Sequence, residues 1–207
     1  MSQKKEFTKF AVIGAGPVGC IVAAFLASGG NDVTLCDIVP ELVNAAVDPG
    51  IKIEGTDELE QKVTRGITNI DDLAKDPPEV IIITVKATVL HLIASSIEAF
   101  INDDMYVVSW QNGIDTELVL AETLGRKNII RAAVNFGCGL VNPAHVKMVF
   151  HQPPHYLQEL EPAGKEAAIK LAEALSKSGL KTERTESIID MVSVSYTHLT
   201  LPTICSV

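Results

Sequence analysis

The feature that most constrains the fold of this chain is a glycine motif directly after a short apolar segment near the N-terminus. The motif has the spacing G-x-G-x-x-G and comprises Gly14, Ala15, Gly16, Pro17, Val18 and Gly19. The segment KFAVI before it is typical of a strand, and apolar residues at helical spacing follow it. The motif is therefore predicted to join a strand to a helix.

In such a strand–turn–helix unit, each glycine has its own physical purpose. Gly14 permits the tight turn, Gly16 lets a ligand approach the backbone, and Gly19 allows the helix to pack closely on the strand. The helix N-terminus offers free N–H groups and a positive dipole end to phosphates. The six residues from Gly14 to Gly19 are therefore predicted to bind the pyrophosphate of a dinucleotide cofactor.

An acidic residue, Asp37, stands at the end of the next predicted strand, DVTLCD. A carboxylate there accepts hydrogen bonds from ribose hydroxyls and repels a 2′-phosphate, so the sequence favours NAD over NADP. A helix cap or a solvated strand end is an alternative role for Asp37.

Strand and helix patterns alternate from Lys9 to about Phe136, and this order predicts an α/β fold. Val80–Val85 is an unbroken apolar and β-branched run, typical of a strand buried on both faces of a parallel sheet. We therefore predict a doubly wound, Rossmann-type, mostly parallel sheet. Residues 1–192 are assigned to this dinucleotide-binding domain, with a small antiparallel extension after Phe136 and an amphipathic helix from Pro162.

Two residues follow predicted parallel strands, at the edge where open α/β sheets bind ligands. Lys86 can reach a cofactor or an anionic substrate as a point charge, or it can simply extend to solvent at the sheet rim. Asn112 precedes Gly113 in a pair that often forms a β-hairpin. Because a helical pattern follows, the pair is predicted to lie in a strand–helix corner; a tight turn that binds no ligand is the alternative.

Composition limits the classes of partner and compartment. The chain has 207 residues and a net charge of −9, which disfavours nucleic acid and anionic membranes. There is neither a secretory signal pattern nor an apolar run long enough to cross a bilayer, so a cytoplasmic location is expected. The four cysteines, Cys20, Cys36, Cys138 and Cys205, show no C-x-x-C spacing, and the histidines do not have the spacing of metal ligands. No metal site is therefore predicted.

The segments VIGAGPVG, TVKA and VSWQNG, followed by VNPAHVKMVF, together resemble the ketopantoate reductase (2-dehydropantoate 2-reductase) family from about Phe10 to Asp190. The resemblance implies that a small anionic 2-keto acid is reduced by NADH or NADPH, yielding pantoate for coenzyme A synthesis. It implies that Lys86 and Asn112 line the nicotinamide end and that Asn112 also binds the substrate. Gly137 matches a backbone position near the cofactor, and a homodimer is considered for the intact protein.

The sequence departs from the family pattern in two places. Cys36 and Asp37 stand where the family usually has a basic residue for NADP. The family's proton-donating lysine belongs to an all-helical C-terminal domain, whereas residues 193–207 here contain no Asp, Glu, Lys or Arg and no helical pattern. This tail is interpreted as aberrant, non-native sequence and the helical domain as missing, so the chain is expected to be a fragment with little activity. A natural terminal strand is the alternative.

Two other functions stay open on the sequence alone. The chain could be a dinucleotide-binding module without turnover, which the missing lysine favours. It could also be another dehydrogenase of this architecture, of the 3-hydroxyacyl-CoA or 6-phosphogluconate type. The Gln-Asn-Gly segment at Gln111–Gly113 argues against these two dehydrogenase types, because it resembles the ketopantoate reductase pattern and the other two families have different residues at this place.

Overall fold

The computed structural model of the protein describes residues 6–111, 113 and 115–189. Its strands are β1 (Lys9–Ile13), β2 (Asp32–Cys36), β3 (Ile51–Gly55), β4 (Leu59–Gln61), β5 (Arg65–Ile67), β6 (Val80–Ile83), β7 (Tyr106–Ser109), β8 (Ile129–Ala133), β9 (Phe136–Asn142), β10 (His145–His151), β11 (His155–Glu159) and β12 (Thr182–Arg184). Its α-helices are α1 (Pro17–Ser28), α2 (Pro40–Ala45), α3 (Leu90–Glu98), α4 (Thr116–Leu124) and α5 (Lys165–Lys177). Short 3-10 turns span Ile70–Lys75, Ala87–Val89 and Pro162–Gly164.

The larger sheet has eight strands in the order β12-β11-β8-β7-β6-β1-β2-β5. The strands from β8 to β5 in this order are mutually parallel, whereas β11 pairs antiparallel with β8 and parallel with β12. The predicted fold class, a doubly wound and mostly parallel α/β sheet, is confirmed. The strand β6 is shorter than predicted, ending at Ile83 instead of Val85.

Side chains of the central strands alternate between two apolar cores, as the period of a strand requires. Phe10 and Val12 of β1 belong to a core shared with α1 and α5. Ala11 and Ile13 of the same strand belong to a second core, which is shared with α3 and α4. Helices therefore cover both faces of the sheet, which explains why its central strands are mostly apolar on both faces.

A second sheet of four strands has the order β4-β3-β10-β9. The strands β9 and β10 form an antiparallel pair, in agreement with the predicted extension. In addition, β10 pairs in parallel with β3, which comes from a distant part of the chain. The extension is thus part of a mixed sheet that the sequence pattern did not reveal.

The helix α1 lies between the two sheets, in contact with β1 and β2 on one side and with strands of the second sheet on the other. Its residues are apolar nearly all round, and most of them are fully buried. A helix with this composition needs an apolar partner on every side, and the two sheets supply it.

The helix α5 begins after the turn at Pro162 and buries the predicted apolar face, which comprises Ala168, Leu171, Ala172 and Leu175. Cys20 and Cys36 are buried free thiols, and burial raises the pKa of each to about 12. Burial also raises the pKa of the partly exposed Cys138, to about 11. These three cysteines therefore act as packing residues, as predicted.

Two expectations cannot be compared with the fold. The proposed boundary after residue 192 and the tail 193–207 lie outside the described residues.

Across the part of the chain that the structure describes, no helix is both long and apolar enough to span a membrane.

We expect Gly19→Ala to destabilise the fold strongly. A Cβ atom at this position would lie 1.8 Å from the carbonyl oxygen of Gly14, so helix and strand would have to separate. The expected loss is about 1–3 kcal/mol in the free energy of unfolding, measured by urea denaturation. Gly139→Ala is the control, because a Cβ there meets no atom within 4 Å and should change stability by less than about 1 kcal/mol. Equal stability of the two variants would contradict close packing at Gly19.

Candidate functional site

The candidate site lies along the edge of the larger sheet where β1, β2, β6, β7 and β8 end. These five strands are parallel, so the loops that follow them meet at one edge. The chain order of the strands reverses between β1 and β6, which leaves a crevice beside the end of β1. Ligands of open α/β sheets bind at such a crevice.

The glycine loop after β1 has the geometry that its sequence predicts. Gly14 has a φ of +107°, a conformation that residues with a side chain rarely adopt, and it makes the turn into α1. Gly19 lies against the Gly14 carbonyl. A Cβ atom built on Gly16 would meet nothing within 4 Å, so this glycine faces open space and not protein.

A threonine after β6, which the sequence analysis did not single out, supports the glycine loop. The Thr84 hydroxyl lies 3.0 Å from both the Ile13 and the Gly14 carbonyl oxygens, and it donates to them. The backbone N–H of Thr84 also donates to Ile13 at 2.9 Å. The strand β6 ends where Thr84 turns toward the loop, which accounts for its shortness.

The carboxylate of Asp37, at the end of β2, binds the backbone on two sides. Its Oδ2 accepts a hydrogen bond from the Ala15 N–H at 2.8 Å, and its Oδ1 accepts one from the Val39 N–H at 3.0 Å. The second bond is an Asx-turn and not the helix cap that was the alternative for Asp37, because the N-cap of α2 is Val39 and α2 has no side-chain capping bond. Each oxygen keeps a further lone pair, and the side chain is partly exposed, so Asp37 can still accept a bond from a ligand.

Lys86 follows β6 and is exposed at the beginning of the turn Ala87–Val89. Among the residues that the structure describes, its ammonium group has no hydrogen-bond or ion-pair partner. The structure therefore places an exposed positive charge at the predicted edge of the sheet.

The corner after β7 is a strand–helix connection and not a hairpin, since β7 is followed by α4. Asn112 lies outside the described residues, whereas its neighbours Gln111 and Gly113 are described. Asp115 is the N-cap residue of α4, and its side chain makes no capping hydrogen bond. The guanidinium of Arg131 in β8 binds this corner by donating a hydrogen bond to the Gly113 carbonyl oxygen at 2.6 Å.

Gly137, predicted near the cofactor, lies in β9 opposite Phe150. A Cβ atom at Gly137 would lie 2.3 Å from the Phe150 ring, so packing within the second sheet already requires a glycine here. This packing reason stands beside the role that the family resemblance implies.

Two histidines, for which the sequence predicts no shared site, stack on each other where β10 connects to β11. The rings of His151 and His155 are parallel, with centroids 5.2 Å apart and Nε2 atoms 3.2 Å apart. His155 Nδ1 accepts a bond from the Asn135 N–H at 3.1 Å, and His151 Nδ1 lies 2.7 Å from Asp57 Oδ2. These partners fix the direction of the bonds: neutral His155 donates from Nε2 to His151, and His151 donates from Nδ1 to Asp57.

Burial, with a smaller contribution from His151, lowers the pKa of His155 from 6.5 to about 4. The ring is completely buried and its Nδ1 already accepts a hydrogen bond, so a second proton would face the Asn135 N–H. In the described ranges, no group of three or more His, Cys, Asp or Glu side chains could hold a metal ion.

Comparison with known proteins assigns the chain to a family. Residues 10–162 match the family model described as ketopantoate reductase PanE/ApbA. The chain belongs to the ketopantoate reductase family. This result confirms the resemblance drawn from the motifs and does not support the alternative of a 3-hydroxyacyl-CoA or 6-phosphogluconate dehydrogenase.

Curated members of the ketopantoate reductase family include two similar relatives. A 2-dehydropantoate 2-reductase of Lactococcus lactis is 30% identical over 181 residues, covering 87% of this chain and 57% of the relative. One of Pyrococcus horikoshii is 32% identical over 182 residues, with the same coverage of 87% and 57%. The chain thus spans somewhat more than half of the length of these reductases.

Solved structures share the fold. The ternary structure of D-mandelate dehydrogenase with NADH and anilino(oxo)acetate superposes with a TM-score of 0.78 at 29% identity, covering 89% of this chain and 59% of that one. A 2-dehydropantoate 2-reductase from Porphyromonas gingivalis has a TM-score of 0.77 at 18% identity, with coverages of 88% and 66%. The latter likeness concerns the fold alone.

The lowered pKa of His155 predicts that the protein loses stability in mild acid. Between pH 6.5 and about 4 the unfolded chain binds a proton at this residue and the folded chain does not. The free energy of unfolding should therefore fall by up to about 3 kcal/mol as the pH decreases through this window. Urea denaturation at several pH values measures the effect.

The variant His155→Gln should have a shallower pH dependence, because glutamine can still accept the Asn135 bond but does not titrate. His91→Gln is the control, because His91 is exposed on α3. If His155→Gln and the wild type lose stability in parallel from pH 6.5 to 4, the assignment to His155 is wrong.

Proposed function

We propose that this chain binds a nicotinamide dinucleotide along the carboxyl edge of its parallel sheet and prefers NAD to NADP. In the intact protein, it would support reduction of a small anionic 2-keto acid, with 2-dehydropantoate as the substrate and pantoate as the product. The observation that carries the proposal is the glycine loop at the crevice, with Asp37 bound to the N–H of Ala15.

The loop fits a pyrophosphate group for two reasons. Gly16 faces open space, so backbone N–H groups can come close to a phosphate. The helix α1 begins without a side-chain cap and without an acidic residue in its first turn, so neither competes with an anion for the helix N-terminus. The proposed phosphate-binding residues are Gly14, Ala15, Gly16, Pro17, Val18 and Gly19.

The order of the strands orients the rest of the cofactor. Asp37 stands on the β2 side of the loop, where its carboxylate would accept hydrogen bonds from the adenosine ribose. The other half of the dinucleotide would then cross β6 and reach β7. Lys86 and Asn112 follow these two strands, and Gly137 lies beyond β8, in agreement with the roles that the family resemblance implies.

When bound, the reduced cofactor supplies a hydride to the keto carbon. Lys86 would attract the carboxylate of the keto acid, and Asn112 would orient the carbonyl toward the nicotinamide. The resemblance assigns protonation of the product oxygen to a lysine for which this sequence offers no match. Since a positioned general acid contributes about 10²–10⁴ to a rate, the chain is expected to turn over slowly or only bind the dinucleotide.

The preference for 2-dehydropantoate rests on the curated relatives, which are 2-dehydropantoate 2-reductases. A second candidate is an aromatic 2-keto acid, favoured by the likeness to a D-mandelate dehydrogenase that was solved with NADH. The cytoplasmic location and the homodimer of the intact protein stay predictions.

We expect the chain to bind NADH at least tenfold more tightly than NADPH, because the Asp37 carboxylate would repel a 2′-phosphate; about tenfold corresponds to 1.4 kcal/mol. Titration calorimetry with both coenzymes measures the ratio of dissociation constants. Tighter binding of NADPH would contradict the proposed preference.

Asp37→Asn should bring the NADPH and NADH dissociation constants closer together, because the negative charge is lost while one acceptor oxygen is kept. Asp32→Asn is the matched control, since Asp32 is an exposed residue at the opposite end of the same strand. An unchanged ratio in Asp37→Asn would assign the preference to another residue.

Turnover separates the reductase from a module that only binds the dinucleotide. The purified 207-residue chain is incubated with NADH and either 2-dehydropantoate or phenylglyoxylate, and the loss of absorbance at the NADH band is followed. The expected result is NADH binding with little turnover. Rapid turnover would eliminate the module and show that the lysine of the family pattern is dispensable here, and the faster substrate would decide between the two keto acids.

A further inference from the structure

An arginine occupies the interior of the larger sheet. Arg131 is the middle residue of β8, whose five residues are all buried, and its relative exposure is 4%. Transfer of a guanidinium from water into such a position is costly, and an apolar side chain of similar volume often stabilises a fold at least as well. The contacts of Arg131 must therefore explain what the charge contributes.

The guanidinium spans the corner between β7 and α4. It donates from Nη2 to the Gly113 carbonyl oxygen at 2.6 Å, and from Nη1 to the Thr116 hydroxyl and, at 3.3 Å, to the Ser109 hydroxyl. The Glu117 carboxylate, also nearly buried, lies 3.3 Å from Nη1 and balances the charge. One rigid fork thus binds the end of the strand, the middle of the corner and the start of the helix.

A chain of hydroxyl groups extends this support to Gln111. The Thr116 hydroxyl lies 2.8 Å from the Ser109 hydroxyl, and Thr116 is the donor of this bond because the Ser109 proton is used on Gln111. Ser109 in turn donates to Gln111 Oε1 at 2.6 Å. The Gln111 side chain is buried, so its orientation is fixed by a series of bonds that starts at Arg131.

The corner has a backbone conformation that needs such support. Gly113 has a φ of +148°, and Asp115 has a φ of +61°, which is unfavourable for a residue with a side chain. Strained conformations of this kind persist where the surrounding structure determines them, and they concentrate at binding sites. The contacts of Arg131 at Gly113 and Thr116 lie on the two sides of Asp115.

The corner also lies where the second half of a bound dinucleotide would be. The glycine loop is at the end of β1, and Asp37 extends the site toward β2, so the opposite half crosses β6 toward β7. The residues at the end of β7 are those that Arg131 supports. A corner that is already rigid before binding loses little conformational entropy when the ligand arrives.

We propose that Arg131 is a positioning residue, which fixes Gln111, Gly113 and Thr116 so that these residues are preorganised for the nicotinamide half of the cofactor. The inference rests on the proposed function. It differs from a purely structural role, because it predicts a selective loss of affinity for the nicotinamide half and not a general loss of folding or of adenosine binding.

The test compares NADH with ADP-ribose, which has the same adenosine and pyrophosphate but lacks the nicotinamide ring. Titration calorimetry gives both dissociation constants for the wild type, Arg131→Lys and Thr116→Val. The lysine variant keeps the charge and loses the fork, and the valine variant keeps the side-chain volume and loses the hydroxyl. Arg184→Lys is the control, because Arg184 is also an arginine paired with a carboxylate, Glu159, but its pair joins the edge strands β12 and β11 and not β7 and α4.

The wild type should bind NADH more tightly than ADP-ribose. In Arg131→Lys and Thr116→Val we expect the NADH dissociation constant to rise about tenfold, the effect of one lost hydrogen bond to a charged group. The ADP-ribose constant should stay within about twofold of the wild-type value, and Arg184→Lys should change neither ligand's constant.

The inference is overturned if NADH binding is unchanged in the variants, or if both ligands lose affinity equally. Thermal unfolding identifies a variant that does not fold. If Arg131→Lys does not fold, the NADH and ADP-ribose dissociation constants of Thr116→Val alone decide whether the inference stands. A wild-type chain that binds ADP-ribose and NADH equally overturns the role of Arg131 but leaves dinucleotide binding intact. A wild-type chain that binds neither ligand overturns the proposed function itself.

Discussion

The approach of α1 to β1 at Gly19 is the contact on which the rest of the structure depends. With no side chain at Gly19, the first turn of the helix lies directly on the carbonyl of Gly14. This contact sets the helix N-terminus at the end of β1, beside the point where the strand order reverses. It also brings the helix close enough to the sheet for its apolar residues to join the same core as Phe10 and Val12. Fold and candidate binding loop therefore share one steric requirement.

The carboxyl edge of the sheet repeats one structural device three times. A polar side chain from one strand, or from the residue just after it, binds the backbone of the loop that follows a neighbouring strand. Asp37 binds the N–H of Ala15, Thr84 binds the carbonyl of Gly14, and Arg131 binds the carbonyl of Gly113. Loops are ordinarily the more mobile part of an α/β fold, and these bonds across neighbouring strands hold them in place.

The sequence predicts those features that depend on local pattern. The glycine motif, the buried run at Val80 and the helical pattern after Gly113 each indicate the element that forms, because each is determined by residues close together in the chain. The same local logic correctly excluded a hairpin at Gly113, since a hairpin would need a second strand there.

Features that depend on contacts between distant segments could not be predicted. The alternation of buried and exposed residues in β3 and β10 is typical of strands, but neither sequence indicates that the two strands pair with each other. The stacking of His151 on His155 depends on how β10 and β11 are joined, and Gly137 is explained by a ring across the sheet. Arg131 did offer a signal, a charge within the apolar run NIIRAAV, but its partners lie on another strand and a helix. Asn112 lies outside the described residues, so its predicted role stays a prediction.

The location of α1 between two sheets has a consequence for biosynthesis. On one side, α1 contacts β3 and β4, and also β9 and β10, which are synthesised much later than α1. A ribosome-bound chain that contains only β1, α1 and β2 therefore still exposes one apolar side of α1 to water. The packing around α1 is therefore complete only after the β9–β10 pair has been synthesised, and exposed apolar surface of this kind makes incomplete chains prone to aggregate.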